Sequence, residues 1–523
     1  MSRIRTELNL ELDVHVPFEA PTVAQLARML DGAGAARTPL TATRRPDLVP
    51  LSFWQQRLWF LSQLDGSNGT YNAPVAARLS GPLDREALQA ALGDVMARHE
   101  PLRTVFPQVD GQPYQRVLPG SGPVLLPVVE VDEATLSQQI DLACSQAFDL
   151  ATEVPVRARL LRMADQEHVL LLVLHHIACD GWSLTPLFHD LETAYRARRD
   201  GSAPDWKPLP VQYADYVLWQ RELLGTEDSP DSELSRQLGY WEKTLAGVPE
   251  ELDLPADRPR SSAAVREAGT LLVDIPQELR RGLADLARQE QATLFMTVHA
   301  ALAALYTRLG AGTDIPLGTV VAGRTDDALD DLVGFFVNTL VLRTDTSGNP
   351  TFRQLLARVR DHDLAALSHQ EVPFEKLVEI LNPARSNARH PLFQTMLVLQ
   401  NNAGAQLRLH GLESRNERVG AKVAKLDLSF SFEETTPDGG LTGVVEYAKD
   451  LFDRASVETL SGRLVRLLEA VVAEPDRRIG ALDLLSDEET DLVLTGGNGV
   501  LGGVAGLTFP ELFEGRVAVS GGR

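Results

Sequence analysis

Six consecutive apolar residues, Val169-Leu170-Leu171-Leu172-Val173-Leu174, end abruptly at two histidines. A run this short and this apolar reads as a strand buried on both faces. It commits the chain to a sheet covered on each side. The residues that follow, His175-His176-Ile177-Ala178-Cys179-Asp180-Gly181-Trp182-Ser183, read as a tight turn, and Ser183 to Arg199 reads as a helix. The strand end therefore holds titratable imidazoles at a turn. Acyl transfer needs such a group, to hold an incoming nucleophile, accept its proton, or stabilise charge in a tetrahedral intermediate. Asp180 suits fixing the turn, by pairing with an arginine and accepting backbone N–H bonds at the helix start. Gly181 suits a conformation or close approach that a Cβ would block.

Other readings of the turn stay open on these residues alone. The histidines can be a packed core pair, or His175, His176 and Asp180 can be metal ligands. Cys179 can be a nucleophile or a small buried loop residue. No Gly-x-Ser-x-Gly elbow occurs, so a hydrolase serine triad has no support.

The turn has company along the chain. Ser52-Phe53-Trp54-Gln55-Gln56-Arg57-Leu58-Trp59 comes first, then Arg98-His99-Glu100-Pro101-Leu102-Arg103-Thr104-Val105-Phe106. After the turn stand Tyr213-Ala214-Asp215-Tyr216-Val217-Leu218-Trp219, then Val333-Gly334-Phe335-Phe336-Val337-Asn338-Thr339 running to Arg343. His369-Gln370-Glu371-Val372-Pro373-Phe374-Glu375 and Arg389-His390-Pro391-Leu392-Phe393-Gln394 complete the set. In this order the seven segments resemble the signatures of condensation domains of nonribosomal peptide synthetases, over about residues 50 to 480.

The resemblance implies a mixed α/β (α+β) fold of two lobes, each like a chloramphenicol acetyltransferase subunit. They form a V-shaped pseudo-dimer with a central tunnel. It implies an acyltransferase of secondary metabolism that forms an amide bond between a donor aminoacyl or peptidyl thioester and the α-amine of an acceptor aminoacyl thioester. Both substrates ride on 4'-phosphopantetheine arms of partner carrier domains, and the chain itself binds no cofactor or metal. His176 is the implied catalytic residue, with His175 structural. Asp180 is the implied partner of Arg98 or Arg103 in the second signature. Asn338 is expected at the tunnel and lobe junction. Arg343 is expected there too, or in an ion pair. Tyr213 and Trp219 read as core or interface aromatics. An epimerization domain shares the His-His-x-x-x-Asp-Gly turn, but the first and fifth signatures resemble condensation domains more, of the type with L-configured donor and acceptor. A cyclization domain would replace the histidines, and silent recruitment domains usually lose the second one.

The ends read differently. Residues 1–37 resemble the last part of an upstream peptidyl carrier domain, past its phosphopantetheine-bearing serine. Thr22 is expected to cap the final helix, with Val23, Leu26 and Leu30 on its packing face. A lone helix pair buries little, so incomplete folding is expected there. Residues 38–50 read as a linker. The two lobes are assigned to 51–215 and 216–483, with a crossover over 201–235. Residues 484–523 read as a flexible linker, in which Gly496, Gly497, Gly499, Gly502 and Gly503 lack the Lys-Ser/Thr of a P-loop. Thr508-Phe509-Pro510-Glu511-Leu512-Phe513 then resembles the start of an adjacent adenylation domain.

Within the first lobe, Asp84 is the expected N-cap of a helix towards His99, with Leu88, Leu92 and Val95 on one face. Pro101 is expected to end it, with an extended Leu102 to Phe106. In the second lobe, Thr293 to Leu309 reads as a helix, Ile315 to Val321 as a strand, and Gly323-Arg324 as a turn.

Bulk properties narrow the partners. A net charge of −22 argues against a nucleic-acid surface and disfavours anionic membranes. No apolar run approaches the ~18–20 residues of a membrane helix, and no signal-peptide core is present. Two cysteines, Cys144 and Cys179, make neither a disulfide framework nor a zinc set, which fits a reducing cytoplasm.

Overall fold

A computed structural model describes residues 2–64, 69–120, 124–260, 266–384, 386, 389–400, 405–417, 423–434, 439–496, 508, 510–511 and 514. The chain builds two main sheets. The first has five strands in the order Glu413–Glu417, Asn72–Ser80, Glu167–His175, Val156–Ala164, Val128–Glu130. Its pairs are antiparallel, except that Val128–Glu130 runs parallel to Val156–Ala164.

The apolar run is the middle of that sheet. Side chains alternate across a strand, so Leu170, Leu172 and Leu174 face the helices Arg85–Arg98 and Leu184–Arg199. Val169, Leu171 and Val173 face the other layer, with Leu136 and Ile140 of the helix Glu133–Ser145. Both sets are buried, which is why no polar residue interrupts the run.

The second sheet has six strands in the order Ala268–Ile275, Leu441–Ala448, Leu428–Glu434, Thr395–Gln400, Asp314–Val321, Asn338–Asp345. One face packs on the helices Gln277–Gln289, Leu294–Arg308, Phe352–Leu367 and Arg454–Ala473. The other packs on Glu233–Thr244 and Phe374–Leu381. The halves interlock, because the strand Glu413–Glu417 leaves the second half to pair with Asn72–Ser80 of the first sheet. Glu417 locks it there on Arg78, 2.9 Å away. Without this strand Asn72–Ser80 would be an open edge.

Local expectations are met in several places. Thr22 caps Val23–Leu30 in a capping box with Gln25, and Asp84 caps Arg85–Arg98 through the Ala87 N–H. Thr293 caps Leu294–Arg308. Other expectations change. Val23 is 87% exposed, so it does not pack. Glu100–Arg103 is a 3₁₀ turn, and only Thr104–Val105 is extended. A lobe boundary at 215/216 would cut the helix Tyr213–Leu224.

The first 37 residues form three helices, Ser2–Leu8, Val16–Glu19 and Val23–Leu30, and a strand pair, Leu10–Glu11 with Gly34–Ala35. They are tied to the second half. Arg5 and Arg37 both donate to the Thr325 carbonyl, at 2.6 and 3.1 Å, and Ser368 donates to Asp13. The following segment is a strap, with Thr38 accepting from the Trp219 indole and Arg45 forking onto Asp215. At the other end, Asp487–Gly496 is helical and its Glu489 pairs with Arg463 and Arg466. Gly497, Gly499, Gly502 and Gly503, with Phe509, Leu512 and Phe513, lie outside the described residues.

Candidate active site

The strand Glu167–His175 stops where His175 turns its ring back on the chain. Its Nδ1 accepts from the Ile177 N–H at 3.1 Å, starting the 3₁₀ turn His176–Ala178. Phe148 meets the His175 ring edge-on at 5.9 Å. Burial, then the neighbouring His176 and Lys425, push its pKa down to about 3. His175 is thus neutral, packed and hydrogen-bonded within the turn.

His176 is presented differently. Its backbone N–H donates to the Tyr71 carbonyl at 2.9 Å. Its Nδ1 lies 3.2 Å from the Cys179 carbonyl, an oxygen that can only accept. That contact places the proton on Nδ1 and leaves the Nε2 lone pair free. The ring is half-buried and faces Phe335 of the second half, centroids 6.2 Å apart. Burial and then Lys425 lower its pKa to about 4, with the Cys179 contact opposing. A neutral imidazole with one free acceptor nitrogen can hold an amine N–H and take its proton.

The remaining turn residues hold this geometry. Burial raises the Cys179 thiol pKa, and the Asp180 charge raises it further. A thiol so held is no nucleophile at neutral pH. A Cβ on Gly181 would meet nothing within 4 Å. Its side-chain-free position opens on space instead of allowing a close approach. Gly334 is the position where crowding does demand glycine, since a Cβ there would sit 2.4 Å from the Tyr213 ring.

Asp180 corrects the expected ion pair. Its Oδ1 accepts from the Ser183 N–H at 2.9 Å, and its Oδ2 from the Phe336 N–H at 2.9 Å. Its arginine is Arg324, at 3.6 Å. Arg324 also donates to Ser183 Oγ at 2.9 Å and stacks over Phe336 at 4.3 Å. Arg98 instead pairs with Asp190, which His99 also contacts at 2.8 Å. Arg103 donates to the Leu118 and Ala97 carbonyls. The reason is helix packing. Arg98 ends a helix lying along Leu184–Arg199 and so meets Asp190, whereas Asp180 precedes that helix and faces the second half.

Asn338 does sit where the halves join. It is 1% exposed, and its Oδ1 accepts from the Trp54 indole at 2.9 Å. Its Nδ2 donates to the carbonyls of Gln370 and Val372, at 2.8 and 2.7 Å. Arg343 does not. It pairs with Asp314 at 2.7 Å and donates to the Thr244 and Ala246 carbonyls. It lines a surface cleft with Tyr240 and Asp361. The ion-pair reading of Arg343 is the one that fits.

The signatures meet one another. Gln55 donates to the Ile177 carbonyl at 3.0 Å. Tyr213 donates to the Phe335 carbonyl at 2.6 Å, and its hydroxyl lies 3.0 Å from Ser52 Oγ. Tyr213 and Trp219 are buried, as expected. Sequence reasoning missed Arg324 as a site residue. Its signal was faint: a lone arginine in a glycine turn after a buried strand. It missed Lys425 altogether.

A neutral histidine at a strand-end turn, closed from across by a second sheet-and-helix half, defines an acyltransferase of the two-lobed chloramphenicol acetyltransferase type. The condensation-domain profile matches residues 46–494, and the chain belongs to that family, whose members catalyse peptide-bond formation in nonribosomal synthesis. It is 52% identical over 527 residues to a probable nonribosomal peptide synthetase of Salinispora arenicola, and 50% identical over 524 residues to a dimodular nonribosomal peptide synthase of Bacillus subtilis. Both alignments cover 99% of this chain, but only 7% and 22% of those proteins. Among solved structures, the X-domain from teicoplanin biosynthesis matches with a TM-score of 0.79 at 38% identity, over 86% of this chain and 100% of that one.

Proposed function

We propose that this domain joins a donor aminoacyl or peptidyl thioester to the α-amine of an acceptor aminoacyl thioester. Each is delivered on the 4'-phosphopantetheine arm of a carrier domain, through a tunnel between the lobes. The observation that carries the reading is the His176 ring, with Nδ1 committed to the Cys179 carbonyl and Nε2 free. The acceptor nitrogen attacks the thioester carbon and the C–S bond breaks. The proton lost by nitrogen ends on the leaving sulfur, and His176 Nε2 is placed to carry it. A thioester is already activated, so holding the amine against it supplies much of the rate.

The first signature favours an L-configured donor and acceptor. Residues 1–37 are proposed as the end of an upstream carrier domain. Residues 51–215 and 216–483 are proposed as the lobes after the linker 38–50, with the division moved to one end of the helix Tyr213–Leu224 so that it stays whole. Residues 484–523 are proposed as a linker and the beginning of an adenylation domain. A cytoplasmic synthetase is proposed, in keeping with a sequence whose two cysteines, Cys144 and Cys179, make no disulfide framework.

The likeness to an X-domain, also solved as a complex with OxyB, supports a second reading, a domain that recruits a partner protein; the free Nε2 of His176 speaks against that as its whole role. Reconstitution with two separately loaded carrier proteins, followed by mass spectrometry of the acceptor-bound product, tests both. Condensation adds the donor mass to the acceptor carrier. Epimerization changes no mass but inverts the bound residue. An unchanged acceptor of unchanged configuration would overturn the proposal.

A further inference from the structure

Lys425 is a cation that neither the turn nor the interlobe lattice uses. It lies on the segment leading into the strand Leu428–Glu434 of the second half. Its backbone is fixed on both sides. Ala424 N–H donates to the Arg266 carbonyl at 2.9 Å, and Asp427 is gripped by Arg260 and Arg266, at 2.6 and 2.8 Å. From that anchor its ammonium crosses to the first half and stands 5.3 Å from the centre of the Tyr71 ring. Tyr71 is the residue whose carbonyl holds the His176 backbone N–H. Burial lowers the Lys425 pKa from its ordinary value and the Glu446 charge opposes that; among the described residues no carboxylate hydrogen-bonds its nitrogen.

We propose that Lys425 is a positioning residue for acyl transfer, its ammonium facing the His176 turn from the opposite half so that the acceptor enters as the free amine and not as the ammonium. The inference rests on the condensation reading. A fixed positive charge beside a partly desolvated site disfavours any second one there. Two species would bring one: a protonated imidazole and a protonated α-amine. Only the neutral forms can react, since nitrogen needs its lone pair to attack and His176 needs its own to accept. Among the described residues, the charged groups facing Lys425 are Glu446, on the strand Leu441–Ala448, and Arg57, on the helix Phe53–Leu64. Those facing His176 are Lys425 and, as a dipole, the Cys179 carbonyl. His175 faces His176 and Lys425. Glu446 partly offsets the lysine, and the Tyr71 ring face holds it in place.

The test follows His176 by NMR titration of the substrate-free full chain with labelled histidine. The signal is assigned with His176→Ala, and the variants are Lys425→Met, Lys425→Gln and Lys425→Arg. The His176 pKa is expected to rise by a unit or more in Lys425→Met and Lys425→Gln, and to stay near wild type in Lys425→Arg. Two neutral variants guard against one failing to fold. The condensation rate with carrier-bound acceptors is then compared across pH. The neutral variants should lose several-fold more rate at pH 6.5 than at pH 8.5, with Lys425→Arg restoring the wild-type profile. An unmoved His176 titration, or an equal shift in Lys425→Arg, would overturn the proposal. So would a rate loss independent of pH. The titration needs no turnover, so a chain that does not condense at all leaves it readable and indicts the reaction instead.

Discussion

The carboxylate of Asp180 accepts a hydrogen bond from the backbone N–H of Phe336, 2.9 Å away and 156 residues further along the chain. The turn that carries His176 is therefore completed from the opposite half. Ser183 strengthens the joint, since its Oγ lies 2.8 Å from the Gly334 carbonyl and 3.1 Å from the Gly334 nitrogen. Catalytic geometry and interlobe packing share the same atoms. A change meant to loosen one loosens the other.

Removing Asp180 or its arginine should destabilise the fold by related amounts. Asp180→Ala strands the Arg324 guanidinium and the Phe336 N–H, and breaking a buried pair typically costs ~3–5 kcal/mol. Arg324→Ala should cost a comparable amount. In urea denaturation the double variant should fall well short of the summed single effects, because the sites share partners. Arg98→Ala should also destabilise, through Asp190 and His99, but additively with Asp180→Ala. Strong coupling of Asp180 to Arg98 would restore the pairing that Arg324 replaces in the fold.

His176→Ala should keep the melting temperature within a few degrees while slowing peptide transfer by more than tenfold, a barrier increase above ~1.4 kcal/mol. His175→Ala should do the reverse in emphasis. It removes the acceptor for the Ile177 N–H and leaves space against Phe148. Melting curves and single-turnover rates of the two variants, side by side, separate the roles. Equal rate losses with equal destabilisation would make both histidines structural.

How much of this was legible in the sequence depends on whether a residue's partner is local. The buried strand, the Asp84, Thr22 and Thr293 caps and the turn itself are written in consecutive residues, and periodicity or capping chemistry reveals them. The Asp180 partner is not local. Arg98, Arg103 and Arg324 are all arginines near apolar segments, and only the packing of Arg85–Arg98 on Leu184–Arg199 decides that Arg98 meets Asp190. The strand Glu413–Glu417 is equally silent, because its sequence, Glu-Ser-Arg-Asn-Glu, carries no apolar alternation. It is held by its edge and by Arg78, not by a buried face. Lys425 owes its surroundings to two segments far apart in the chain.

The pH dependence of the reaction should follow the acceptor, not the histidine. His176 has a pKa near 4 and stays neutral at any pH above that. An α-amine titrates at about 7.7–8.0. The rate with saturating donor should fall as pH drops below the pKa of the bound acceptor amine, which Lys425 holds under that free value, and a less basic acceptor should move that limb down with its own pKa. A limb fixed near 6.5 for every acceptor would identify a histidine instead. Stability has its own sign. His175, His176 and His390 have folded pKa values of about 3, 4 and 3, below the unfolded value near 6.5. The unfolded chain therefore binds more protons in that window. Their contribution is full above pH 6.5 and is lost as pH falls towards 4, by at most about 1.4 kcal/mol per pH unit for each. Denaturation midpoints measured from pH 7.5 to 5 should decline with that curvature.

The first 36 residues should prove to be a stabilising contact and not an inert leftover. Arg5 and Arg37 grip the Thr325 carbonyl, one residue beyond the Arg324 that pairs with Asp180. Asp13 accepts from Ser368, and Val16 and Ala20 are buried. Neutral hydrogen bonds contribute about 0.5–1.5 kcal/mol each, and bonds to charged groups about 1.5–3. Deletion of residues 1–36 should therefore lower stability by roughly 2–4 kcal/mol on that scale. The loss should exceed what Arg37→Ala alone produces. It should also quicken hydrogen exchange around Gly323 to Asp327, since the loop loses one of the guanidinium groups that hold it. Identical exchange in that loop with and without the segment would show that Thr325 gains nothing from Arg5, and that Arg37, Asp180 and Ser183 suffice to order the Arg324 turn.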